Sequence, residues 1–102
     1  LTRTRHPFNG IRWAFAYAED FKDDGSVVAV SDVWPEFIES NGNAIAEDIP
    51  LSGILNARMH IVFPEMMPTH MKRIKVGTRF YCMEGDRKCA EGVVTTIRSK
   101  TE

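Results

Sequence analysis

The chain has 102 residues, of which 43% are apolar and 26% charged, and its formal net charge is −1. That length makes one modest domain and is too short for two, and the near-neutral balance argues against a protein that holds nucleic acid by bulk charge, leaving room for a local basic patch only. No apolar run approaches the roughly 20 residues of a membrane-spanning helix, no secretory leader pattern is present, and two cysteines do not make a disulfide scaffold, so a cytoplasmic location without membrane association is expected.

Residues 11–18, IRWAFAYA, alternate strictly. Ile11, Trp13, Phe15 and Tyr17 share one face, and Arg12, Ala14, Ala16 and Ala18 the other. This period of two predicts a strand whose aromatic stripe faces a core. The acidic EDFKDDGS that follows ends in Asp24-Gly25, a turn signal. Residues 27–33, VVAVSDV, predict a second strand closed by Trp34-Pro35. Within FIESNGNAIAEDIP, Asn41-Gly42 predicts a hairpin turn between two short strands, and Ile49-Pro50 and Ser52-Gly53 mark another turn.

Residues 54–63, ILNARMHIVF, make the cleanest strand, with Leu55, Ala57, Met59, Ile61 and Phe63 on one face. It is expected to be central, with Met59, Ile61 and Phe63 buried. PEMMPTHMKRIKVG contains two prolines and stops at Gly77, the pattern of an irregular loop. It also carries the only dense basic run. Met66, Met67 and Met71 beside Lys72 and Arg73 form a candidate adaptable surface for a protein partner.

The last segment, residues 79–97, reads RFYCMEGDRKCAEGVVTTI, two strand-forming runs around Glu84-Gly85-Asp86-Arg87. With Gly85-Asp86 at the centre of a two-residue turn, Glu84 faces Arg87 and Cys82 faces Cys89, at a Cα separation of roughly 5.5 Å. Strand geometry at such a pair suits a disulfide poorly, so two thiols packed as small apolar residues are expected. His6, His60 and His70 lack the short ligand spacings of a zinc motif, and no metal or other cofactor is expected. Simple alternation would put Glu91 on the face of Phe80 and Cys82. A bulge at Ala90-Glu91-Gly92 would turn it outward. The tally of about seven short strands predicts an all-β fold, a barrel or sandwich.

The closing segment resembles the final hairpin of the third domain of elongation factor Tu. The family pattern there is an Arg-Phe pair, a Glu-Gly-Gly-Arg turn and a Gly-x-Gly-Val-Val-Thr-Lys-Ile strand. RHPFNGIRWAFAY near the start similarly resembles the family's Arg-His-Thr-Pro-Phe … Tyr-Arg-Pro-Gln-Phe-Tyr-Phe. The resemblance implies a small antiparallel β-barrel of six to seven strands from a bacterial translation factor, here standing alone. In the parent factor this domain binds the T stem of aminoacyl-tRNA, packs on the GTPase domain and contacts the exchange factor. No phosphate-binding Gly-x-x-x-x-Gly-Lys-Ser/Thr loop is present, so GTP hydrolysis is not expected.

The family's Glu-Gly contact to tRNA is matched by Glu84 and Gly85, with Asp86 and Arg87 completing the turn. Its Gln contact is replaced by Ala14, and its Thr contact falls in the divergent acidic loop. Arg5, Arg12, Arg79 and Arg87 are further candidates to line a groove. Two readings follow. One is a non-enzymatic module that binds a protein able to recognise elongation factor Tu, for example as an inhibitor or immunity protein does. The other is a module that binds tRNA or another RNA through the Glu84-Gly85 hairpin.

Overall fold

The computed structural model describes residues 7–97. The alternating aromatic segment forms β1, Ala14–Tyr17, and buries Trp13, Phe15 and Tyr17 on one face as its period predicts. β1 pairs antiparallel with β4, Arg79–Glu84, which pairs antiparallel with β5, Arg87–Val93. In that register Phe15 lies opposite Cys82 and Tyr17 opposite Phe80, so all four side chains share the core face. Ala16 and Met83 on the reverse face are buried as well, and this sheet is covered on both sides at its centre.

A second sheet pairs β2, Val33–Ile38, with β3, Asn56–Ile61. Val33 joins the core cluster of Trp13, Phe15, Tyr17, Phe80 and Cys82, and Phe37, Met59 and Ile61 pack against it. The fold is therefore all-β and antiparallel. Among the described residues it has five strands in two sheets of three and two, with no closed barrel. The sheets meet where Phe15 and Ser31 exchange two backbone hydrogen bonds of 2.8 Å.

Several expectations are corrected. The strand expected over residues 27–33 lies over Val33–Ile38 and runs through Pro35. The N–H of Phe37 points away from β3, to Asn9. Pro35 has the same parity, so its missing donor falls on that side and removes no bond of the β2–β3 ladder. Val28 and Val30 are exposed instead. The Asn41-Gly42 turn is present, but it joins β2 to a single bridge, Ile38 to Ala44.

β3 is the outer strand of its sheet rather than a central one. Met59 and Ile61 are half-buried and Phe63 is 46% exposed. The segment expected to be a loop contains a 3-10 turn, Pro64–Met66, and a helix α1, Met67–Arg73. Each proline sits in the first turn, where the missing N–H has no intrahelical partner to lose.

In the closing hairpin Glu84 pairs with Arg87 as expected, but Cys82 pairs with Ala90 and not with Cys89. The ladder slips between Cys82 and Met83, which makes Cys89 the extra residue of a bulge placed nearer the turn than expected. This slip leaves Glu91 exposed, opposite Tyr81, and puts Gly92 opposite Phe80.

Candidate interaction surfaces

α1 is anchored from its buried face. His70 is 2% exposed, and its Nδ1 lies 2.6 Å from the Tyr17 hydroxyl. The Phe15 ring meets the imidazole edge-on. One turn later Arg73 lays its guanidinium 3.8 Å above the Tyr17 ring. Its Nη1 and Nη2 donate to both carboxylate oxygens of Asp20 at 3.1 and 3.0 Å, and Nη2 also donates to Glu19. Such a fork matches a carboxylate in a way lysine cannot.

Electrostatics follow from this packing. Burial, followed by the Arg73 charge, holds the His70 pKa below its ordinary value, and burial raises that of Tyr17. With Tyr17 as donor, the neutral imidazole keeps its proton on Nε2.

His70 lines a shallow cleft of about 200 Å3 between Val30, Ser31 and Asp32 on one side and Phe63 and Met66 on the other. No buried side-chain nitrogen or oxygen among the described residues lacks a partner, and Nε2 makes no hydrogen bond. Nε2 therefore reaches solvent. The cleft offers the apolar side chains of Val30, Phe63 and Met66 beside Ser31, the Asp32 carboxylate and the His70 imidazole.

The hairpin presents a different surface. Gly85 has φ +60 while Asp86 keeps a negative φ, the two-residue turn that favours glycine first. Asp86 and Gly85 are exposed at the tip. Below them the Glu84 carboxylate accepts from the Trp13 indole at 3.0 Å and from Arg87 at 2.7 Å. Cys82 and Cys89 are free thiols. Burial pushes Cys82 up to about 11 and raises Cys89 as well, so both stay protonated at neutral pH and are poor nucleophiles.

The residues singled out by sequence thus fall in three places. Glu84, Gly85, Asp86 and Arg87 form the hairpin tip. Met66, Met67, Met71, Lys72 and Arg73 lie on the helical segment, with Met66 and Met71 exposed, Met67 half-buried and Arg73 held by Asp20 and Glu19. Arg12 joins neither group, because it stacks 3.9 Å over Trp34 on the outer face of the β2–β3 sheet. Arg5 lies outside the described residues, and Arg79 is exposed on β4.

Val30, Asp32, Phe63 and His70 line the cleft, although the sequence pattern places the first three in strands and offers His70 only as a poor zinc ligand. The spacing of His70 and Arg73, one helical turn apart, was the available signal. Among the described residues no group of three or more His, Cys, Asp or Glu is placed to hold a metal ion, and no helix is long and apolar enough to cross a membrane. Comparison with protein-family models, curated proteins and solved structures returns no match.

Proposed function

We propose that the chain is a non-enzymatic protein-interaction module whose contact surface centres on the apolar side chains around the α1 cleft. The observation that carries this reading is that the arginines of the candidate surfaces are engaged while apolar groups beside the cleft stay exposed, although Lys22, Lys72, Lys75 and Arg79 are exposed as well. Arg12 rests on Trp34, Arg73 on Asp20, Glu19 and Tyr17, Arg87 on Glu84, and Lys88 over Phe21 and Tyr81. Val30, Phe63, Met66 and Met71 remain exposed. A phosphate would have to displace carboxylates or rings from those cations, whereas an apolar partner displaces only water.

The resemblance of residues 79–97 to the closing hairpin of the elongation factor Tu third domain supports a partner that also recognises that factor, as an inhibitor or immunity protein would. The RNA reading is favoured by one feature, the exposed Gly85-Asp86 tip, whose backbone N–H groups can meet phosphate without any basic excess. Capture from a native lysate separates the two, using the wild type, the Met66→Ala/Met71→Ala double variant and Arg87→Ala over a salt series. A protein retained after nuclease treatment, weakened in the methionine variant and little changed by salt is the expected result. An RNA whose capture weakens steeply with salt and fails with Arg87→Ala would reverse the assignment.

A further inference from the structure

β3 uses only one of its two backbone edges. The Val62 N–H donates to the Asp32 carbonyl at 3.0 Å, so by register the hydrogen-bonded pairs continue at Trp34–His60, Glu36–Arg58 and Ile38–Asn56. The N–H and C=O groups of Ala57, Met59 and Ile61 consequently point away from β2. None of them has a hydrogen-bond partner among the described residues. The edge strand β5 of the other sheet differs, because it carries the Cys89 bulge and the charged Lys88 and Glu91. Those devices blunt an edge. β3 has no proline, lysine or bulge.

Side chains on the two faces of β3 define what would complete it. On the inner face Met59 and Ile61 reach the core yet stay half-buried, and Leu55, Ala57 and Phe63 are exposed. The apolar layer therefore stops at an open side. On the outer face Arg58 and His60 share one carboxylate, that of Glu36, at 3.7 and 3.1 Å. Arg12 adds a further positive charge over Trp34, the cross-strand neighbour of His60. Glu36 is thus the one carboxylate facing Arg12, Arg58 and His60 on the described part of this face.

We propose that the β3 edge accepts an extended segment of a protein partner as an added strand, and that this segment alternates apolar and acidic side chains. The proposal rests on the protein-binding reading above. Apolar side chains opposite Ala57, Met59 and Ile61 close the inner face, and carboxylates opposite Arg58 and His60 supply the missing charge. Backbone hydrogen bonds to Ala57, Met59 and Ile61 hold the strand, and the alternation selects it. A second copy of the chain fits less well. Antiparallel self-pairing centred on Met59 sets each Arg58 opposite His60 of the other copy and brings no new carboxylate.

The test titrates isotope-labelled protein with two short synthetic peptides, one alternating valine with glutamate and the other valine with lysine. Only the glutamate peptide should bind, slowing amide exchange at Ala57, Met59 and Ile61. Ala57→Pro deletes one outward N–H and no bond to β2, so it should keep the melting temperature and weaken binding roughly tenfold or more. Arg58→Glu should transfer the preference to the lysine peptide. Equal binding of both peptides, binding of neither, or indifference to Ala57→Pro would overturn the proposal. So would sedimentation showing a dimer that Ala57→Pro dissolves, which assigns the edge to a second copy. A lysate partner kept by Ala57→Pro but lost in the methionine variant refutes the edge and leaves the protein-binding reading standing, whereas capture of RNA alone refutes both.

Discussion

At Asn9 one amide serves three backbone groups of other segments. It accepts from the Phe37 N–H at 2.9 Å and donates to the Phe37 and Ile45 carbonyls, each at 2.8 Å. Asn9→Ala leaves that N–H without a partner in a nearly buried place, and should cost about 1–3 kcal/mol of stability by urea unfolding. Gly92 is demanding for a steric reason. A Cβ there would stand 2.4 Å from the Phe80 ring, which is stacked on Phe15 at 4.9 Å. Gly92→Ala must tilt that stack, and a loss of roughly 1–3 kcal/mol is expected in thermal or urea unfolding. Sequence inspection read Gly92 as the hinge of a bulge, because a glycine reports that a side chain is excluded without saying what excludes it. The bulge residue is Cys89, which looks like any other strand position until its partner strand is known.

At the scale of elements, α1 shows how short helices depend on anchors. Seven residues are too few for helical stability of their own, so docking through His70 and Arg73 carries it. The pH dependence follows from the lowered pKa of His70. The unfolded chain binds that proton more readily, so the stabilisation is complete above the ordinary value of 6.5 and is lost as the pH falls below it. Stability should therefore fall more between neutral pH and about pH 5 in the wild type than in His70→Asn, as urea midpoints across the series will show. A steeper loss in the variant would remove His70 from this role. Both α1 and β2 were hidden by proline. In sequence Pro64, Pro68 and Pro35 have the pattern of breakers, yet each occupies a place where no ladder or helix bond needs its N–H. Phe63 misled differently: the period of two continues through it, but the chain leaves the sheet at Val62 and turns at Pro64. Periodicity shows which residues share a face and is silent on whether another layer covers it.

Over the whole molecule, the strand alternation, the hairpin and the all-β class were legible because each depends on neighbours within a few residues. The engagement of Arg12 and Arg73 was not, since Trp34, Asp20 and Glu19 lie far from them in sequence. The sheet pairing has the same long range. β1 sits beside β4, with Ala14 opposite Met83, so the core cannot close until β4 is available. Loop-closure entropy must be overcome before those contacts form, and refolding should take milliseconds to seconds, as stopped-flow tryptophan fluorescence from buried Trp13 can measure. A nascent chain on the ribosome accordingly carries the aromatic stripe of β1 unpaired until β4 has been made. Trp13, Phe15 and Tyr17 would then be exposed to chaperones and to other chains until β4 emerges, so a strand about sixty residues downstream decides whether β1 is ever protected.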